Sequence, residues 1–288
     1  MSFSQEAADR AERFIRCLPH TKGAWAGKPF TLLDWQLDRI IRPLFGTLRE
    51  DGTRQYRTCY AELPKKNGKS ELAAAIALYL LLADNEPGAE VYSAAGDQDQ
   101  AGIVFKVAAE MVRRTPALVK RCQILQSRNR IVVDSTNSYY HVLSSEAYSK
   151  HGYNISGLIF DELHTQPGRD LWDVLTFGTG IARRQPLNFT ITTAGFDRNS
   201  VCWEVHEHAR KVSEGIIDDP TFLPVLYYAR DDEDWESEET WAKCNPSLDH
   251  IFNLDDIREE FAKAKRGPAD ENNFRRLRLN QWVRHDVR

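Results

Sequence analysis

The chain has 288 residues, 42% hydrophobic and 28% charged, which is enough apolar material for one large core with an appendage and excludes a disordered chain. A formal net charge of −4 excludes a polycation that grips nucleic acid by bulk charge, so any such contact must come from local patches. Five scattered cysteines with no C-x-x-C pair argue against a disulfide framework or zinc site and fit a reducing, cytosolic setting. The N-terminal stretch is polar, without a signal-peptide core. The longest apolar run, Leu72 to Ala83, falls short of the roughly 20 residues that span a bilayer.

Taken in order, short β-rich runs alternate with helical patterns, the signature of a parallel sheet built from βαβ units and hence of an α/β fold. "FTLLDWQLDRIIRPLFG" reads as an amphipathic helix and "RQYRTCYAEL" as the first strand. "ELAAAIALYLLLAD" is a long helix ended by Pro87-Gly88. "AEVYSAA" is a second strand and runs into a helix whose face is Ile103, Val104, Val107, Ala108 and Met111. "NRIVVDS" and "YYHVLSS" suggest a hairpin-like insertion. "ISGLIFDEL" is a buried strand, "RDLWDVLTFGTG" a helix, "QPLNFTITTAG" a strand and "SVCWEVHEHARKV" a helix. After about Gly215 the character changes to acidic "DDEDWESEE", turn-like "CNPSLD" and a charged helix from Leu254 to about Lys265. The expected division is a helical segment 1–45, a core 46–215 and a small subdomain 216–288.

Gly68-Lys69-Ser70 follows a predicted strand and opens a helix, where free backbone N–H groups and the helix dipole favour an anion. Lys69 would reach phosphates and the Ser70 hydroxyl a magnesium ion. The P-loop pattern wants a glycine where this chain has Leu63, and the tripeptide alone arises by chance in about one chain in ten. A lysine at a helix start with Ser70 as N-cap therefore stays open. Asp161-Glu162 ends an apolar strand, at the sheet edge where open α/β folds bind ligands; there the first carboxylate would hold Mg²⁺ and the second activate water. The other reading is an acidic pair at a turn. Thr192 and Thr193 would sense a γ-phosphate and Gly195 would allow a sharp turn, although strand threonines also serve packing. Gln36 offers both a donor and an acceptor to adenine and Trp35 an aromatic flank, or both belong to a helix with a Leu33, Leu37, Ile40, Ile41 core face.

Together "LLDWQ", "ELPKKNGKS", "YSAAGDQDQA", "GLIFDELHTQ", "ITTAG", "WAKCNPSL" and "RLRLNQWV" resemble the large terminase subunit of tailed bacteriophages, most of all its HK97-type branch. In that family the Walker A loop often lacks its first glycine. The resemblance implies an ASCE-type P-loop NTPase core with a small lid subdomain. It places Pro64, Asn67, Gly68, Lys69, Ser70 and Glu71 at the nucleotide and Ser70 and Asp161 at Mg²⁺. Glu162 becomes the catalytic glutamate and Gln36, with Trp35, the adenine side; Thr192, Thr193, Ala194 and Gly195 become the motif coupling hydrolysis to DNA movement. A basic finger is implied, from Lys65 or Lys66 in cis or from a neighbouring subunit just before Walker B. That stretch has Lys150 and His151 but no arginine, so Arg128, Arg130, Arg183 and Arg184 are further candidates.

The implied function is an ATPase motor that uses ATP and Mg²⁺ to move double-stranded DNA into a procapsid in the host cytoplasm. Its partners would be the portal and the small terminase subunit, and its assembly a ring when docked. Full-length family members add a nuclease domain, which this sequence is expected to lack, so ATP hydrolysis without DNA cleavage is expected. "RRTPALVKR" and "KAKRG" are patches for DNA or a partner, or simply solvated faces. Competing readings are a superfamily 2 helicase-like ATPase and a non-hydrolysing nucleotide-binding scaffold. Glu162 argues against the latter, because a pure binder needs no water-orienting carboxylate.

Overall fold

The computed structural model describes residues 1–96, 98–143, 152–179 and 182–283. Its strands are β1 (Ser2–Phe3), β2 (Thr47–Leu48), β3 (Thr58–Glu62), β4 (Glu90–Ala94), β5 (Gln123–Leu125), β6 (Arg130–Val133), β7 (Ser138–Val142), β8 (Gly157–Asp161), β9 (Leu187–Thr192) and β10 (Phe222–Leu226). An eight-stranded sheet runs β10-β3-β9-β8-β4-β7-β6-β5. It is parallel from β10 through β7 and antiparallel across β7-β6-β5. The expected hairpin is therefore a three-stranded extension, tied to the parallel sheet through β7. β9 lies between β3 and β8, so three strands bring the three sequence motifs to one edge.

The helices are α1 (Gln5–Arg16), α2 (Asp34–Gln36), α3 (Arg42–Gly46), α4 (Lys69–Leu82), α5 (Gln98–Arg114), α6 (Pro116–Val119), α7 (Asp170–Gly178), α8 (Val201–Ser213), α9 (Glu238–Cys244), α10 (Leu254–Ala264) and α11 (Pro268–Arg278). A π turn, Leu37–Ile41, joins α2 to α3. α4 is apolar nearly all round and every residue from Leu72 to Leu81 is buried, as befits a helix packed between a sheet and other helices. Its neighbours are β4, β7, β8, β9, α1 and α5. No helix among the described residues is long and apolar enough to cross a membrane.

The sheet does not stop at Gly215. β10 pairs in parallel with β3, Phe222 opposite Thr58, so the edge strand falls inside the segment assigned by sequence to the small subdomain. A separate core of Trp241, Cys244, Ile257, Ala264, Phe274 and Leu279 follows, flanked by Trp235 and Phe261. It joins α9, α10 and α11. The alternation Phe222-Leu-Pro-Val-Leu226 is short, and its proline accounts for its poor visibility as a strand: proline is tolerated at sheet edges, where no ladder partner needs its N–H.

Candidate active site

β3 runs into the loop Leu63–Gly68, which turns through left-handed conformations at Lys66 (φ 71°) and Gly68 (φ 80°) before α4 begins at Lys69. A Cβ on Gly68 would lie 3.1 Å from Ile251 Cδ1 and 3.6 Å from Gln36 Nε2, so both the backbone and the space call for glycine. Gly68, not Ser70, is the N-cap residue. Leu63 is fully buried in the main core: where the P-loop pattern has a glycine, this chain has a packing residue.

The Lys69 ammonium is buried. It donates to Leu63 O at 3.1 Å and to the Thr193 hydroxyl, and lies 3.6 Å from Glu162 Oε1. β8 delivers Asp161 and, directly after it, Glu162, which adopts a left-handed conformation (φ 50°). Burial works to raise the Glu162 pKa, but Lys69 above all, then His164 and Lys65, outweigh it and hold this carboxylate ionised. Asp161 goes the other way: burial, reinforced by the neighbouring Glu162, pushes it up, and Lys69 only partly offsets this. Its Oδ1 is buried with no hydrogen-bond partner.

Among the described residues no group of three or more His, Cys, Asp or Glu side chains is arranged to hold a metal ion. The unsatisfied Asp161 oxygen nonetheless fits a hard cation that brings most of its ligands as water and phosphate, as Mg²⁺ does. Ser70 and Asp161 are the residues that would hold it.

A cavity of about 640 Å³ opens in front of the loop, lined by Lys65, Lys66, Gly68, Lys69, Ser70, Glu71 and Glu162 on its polar side. Gln36, His20, Trp25, Phe30 and Ile251 line the other side. Gln36 Oε1 accepts the Leu33 N–H at 3.0 Å, which leaves one lone pair and both amide hydrogens. The aromatic wall was not legible in the sequence. His20 stacks on Phe30 with centroids 4.5 Å apart and meets Trp25 edge-on at 5.4 Å. Glu71 fastens this wall, accepting from His20 Nδ1, from Thr21 N at 2.7 Å and from Thr21 Oγ1 at 2.8 Å. Its role in the structure is thus to anchor the segment that closes the cavity.

Other expected site residues lie elsewhere. Trp35 is buried away from the cavity; its indole donates to Ser247 Oγ at 3.1 Å and its ring meets Tyr227 edge-on. The expected aromatic flank is therefore not Trp35, because this side chain sits on the face of α2 that packs against the small subdomain. Pro64 and Asn67 do not line the cavity either. Asn67 is fully buried and bridges to the "CNPSL" segment, donating to Asn245 Oδ1 at 3.2 Å and accepting from Ser247 N at 3.1 Å. Thr192 Oγ1 accepts from His164 N at 3.2 Å and lies 3.1 Å from His164 Nδ1, which is 3.2 Å from Glu162 Oε2. His164 thus links β9 to the acidic pair, and its place two residues after Glu162 gave no sign of that role in the sequence. Gly195 is required sterically: a Cβ there would lie 2.9 Å from the Trp282 ring.

Of the finger candidates, Lys65 and Lys66 face the cavity. Lys150 lies outside the described residues. Arg183 precedes β9 at the opposite sheet edge, 3.8 Å from Glu86 and 3.5 Å from Glu90, and donates to Asn154 O and Pro87 O. Arg184 donates to Asp51 O at 3.4 Å on the same side. Arg130 lies 3.7 Å over the Tyr139 ring, on the antiparallel extension that also carries Arg128.

A parallel sheet with a strand inserted between the loop strand and the Asp-Glu strand, and a lysine-bearing loop entering a helix, defines a P-loop NTPase of the ASCE type. The family model for the terminase large subunit, ATPase domain, matches residues 34–211, and the chain belongs to that family. It is 29% identical over 282 residues to the terminase large subunit of Enterobacteria phage HK97, covering 95% of this chain and 53% of that protein. Protein YmfN of Escherichia coli (strain K12) is 26% identical over 125 residues, 43% of this chain and 27% of its own. The crystal structure of the HK97 large terminase matches with a TM-score of 0.82 at 29% identity, covering 95% of this chain and 55% of that one. The Thermus phage P74-26 large terminase ATPase domain matches at 0.52 and 19% identity, over 78% and 88%, a likeness of fold. The chain spans about half the length of the HK97 protein.

Proposed function

We propose that this chain hydrolyses ATP as the motor domain of a terminase, driving double-stranded DNA into a procapsid. The observation that carries the reading is the acidic pair beside Lys69: buried Asp161 with an unpartnered oxygen, and Glu162, partly exposed to the cavity, held ionised. Lys69 rests on Thr193 and Leu63 O and would exchange those acceptors for phosphate oxygens. Glu162, kept as a carboxylate, orients and deprotonates the attacking water. Mg²⁺, held by Ser70 and Asp161, supplies charge neutralisation across the phosphates when bound. Gln36 offers its amide to the base, and His20 and Trp25 supply the aromatic face that the sequence assigned to Trp35. Lys65 or Lys66 stabilises the charge developing on the transferred group in cis, and a neighbour in a ring supplies any second cation.

The proposed setting is the host cytoplasm, with portal, procapsid and small terminase subunit as partners. Family membership supports packaging over the helicase reading, and Glu162 supports hydrolysis over a passive scaffold. The test is ATP turnover against protein concentration, with and without portal-bearing procapsids. Turnover that rises steeply with procapsids and vanishes in Glu162→Gln is expected; Mg²⁺-independent turnover, or turnover unchanged in Glu162→Gln, would refute the reading.

A further inference from the structure

Glu62 ends β3 just before the phosphate loop and is completely buried. Its Oε2 accepts from the Tyr60 hydroxyl at 2.6 Å and lies 2.9 Å from His206 Nδ1. Its Oε1 accepts from Asn280 Nδ2 and Trp282 Nε1, each at 3.3 Å. A carboxylate taken wholly out of water is tolerable only with such a set of partners, and two of them come from the segment that leaves α11.

Asn280 is the junction. Its backbone is left-handed (φ 55°), a region where asparagine is among the few side chains readily accepted. Its Nδ2 donates to Glu62 and, at 3.0 Å, to Tyr227 O; its Oδ1 accepts the Ala194 N–H at 2.7 Å. Ala194 follows Thr193, the residue that receives Lys69. Two residues past Asn280, Trp282 covers Gly195 so closely that no Cβ fits. The turn after β9 is therefore held from outside the sheet, at its amide by Asn280 and over its glycine by Trp282.

We infer that Glu62 and Asn280 are positioning residues: Glu62, at the end of β3, seats Asn280 on the segment leaving the small subdomain, and Asn280 in turn fixes the Thr192–Gly195 turn and so sets Thr193 against Lys69. The inference rests on the reading of Lys69 as the phosphate residue. Both side chains act through the turn and neither lines the nucleotide cavity. Its consequence is that the nucleotide site is complete only when residues 279–282 are seated, and a displacement of that segment reaches Thr193 through the Asn280–Ala194 hydrogen bond and the packing of Trp282 on Gly195.

The test compares the whole chain with Asn280→Gly, which keeps the left-handed backbone and removes the amide, and Glu62→Gln, which keeps the shape and removes the charge. Hydrogen–deuterium exchange of residues 192–195, affinity for a fluorescent ATP analogue, and turnover are measured on each. In Asn280→Gly, exchange at 193–195 rises roughly tenfold and kcat falls by a similar factor, while nucleotide affinity changes less than about twofold, as for the loss of one buried hydrogen bond away from the ligand. Glu62→Gln gives the same pattern to a smaller extent. Wild-type exchange at 193–195 in Asn280→Gly would overturn the inference. So would protection lost evenly across the sheet, which would make Asn280 a general prop of the fold. A wild-type chain that binds no nucleotide overturns the ATPase reading instead, and the exchange arm still decides the positioning.

Discussion

Two buried acids stand at the same edge of the sheet and are treated in opposite ways. Glu62, at the end of β3, has partners on both oxygens. Asp161, at the end of β8, keeps one oxygen without any. The two strands are separated only by β9, so the difference is not one of depth or dielectric. A satisfied buried carboxylate specifies structure, whereas an unsatisfied one holds a cost that a ligand can relieve. The region around Glu62 is built as a fixed joint and the region around Asp161 as a receptor.

The largest expected effect tests the receptor. Glu162→Ala removes the ionised carboxylate proposed as the base and should lower turnover by about 10²- to 10⁴-fold, with nucleotide affinity retained, as read from steady-state kinetics and an equilibrium titration. Next comes the joint: Glu62→Ala strands His206, Asn280 and Trp282 and should cost about 3 kcal/mol of stability, measured by urea unfolding. Asp161→Asn should do the reverse. Removing a carboxyl that burial pushes towards protonation should raise Tm by about 2 °C for about 1 kcal/mol, while Mg²⁺-dependent nucleotide binding is lost. If both substitutions destabilise equally, the contrast between joint and receptor fails.

A smaller effect depends on pH. Burial pushes the His206 pKa down, but the Glu62 carboxylate opposes this and wins, with Glu207 assisting and Arg210 opposing, so the pKa is raised. A raised folded value means that the stabilisation is complete below the ordinary imidazole pKa of about 6.5 and fades as pH climbs through the folded value. The urea midpoint should decline across that interval in wild type and decline less in His206→Gln. The smallest effect concerns Trp35: Trp35→Phe should lose about 1 kcal/mol with the Ser247 hydrogen bond and leave ATP affinity unchanged, whereas Gln36→Ala should weaken it. A large loss of affinity in Trp35→Phe would restore the tryptophan as the base flank.

The strands and helices of the core were legible because their signals are local. Alternating β-rich runs, the all-apolar α4 and the Pro87-Gly88 stop each depend on neighbours in sequence. β10 and α11 were not: one is short and holds a proline at an edge, and the other is polar along much of its length. The same division runs through the site. Lys69, Ser70, Asp161 and Glu162 stand in motifs whose spacing carries their chemistry. His20 and Trp25 have no such spacing, and only the packing of distant segments brings them to the cavity; His164 meets Thr192 only once β9 lies beside β8.

Sequence by itself determined the alternation that makes an α/β sheet, the order of its motifs, and the family. Which aromatic faces the cavity was decided by tertiary structure, because Trp35 and Gln36 are adjacent on one helix and a turn of 100° sends them to different neighbours. Tertiary structure also decided that Asn67 clasps the small subdomain and that Asn280 caps Ala194. Hydrogen bonds spanning 178 and 86 residues leave no periodic trace in a chain, since their geometry exists only after the sheet and the helices around it have assembled.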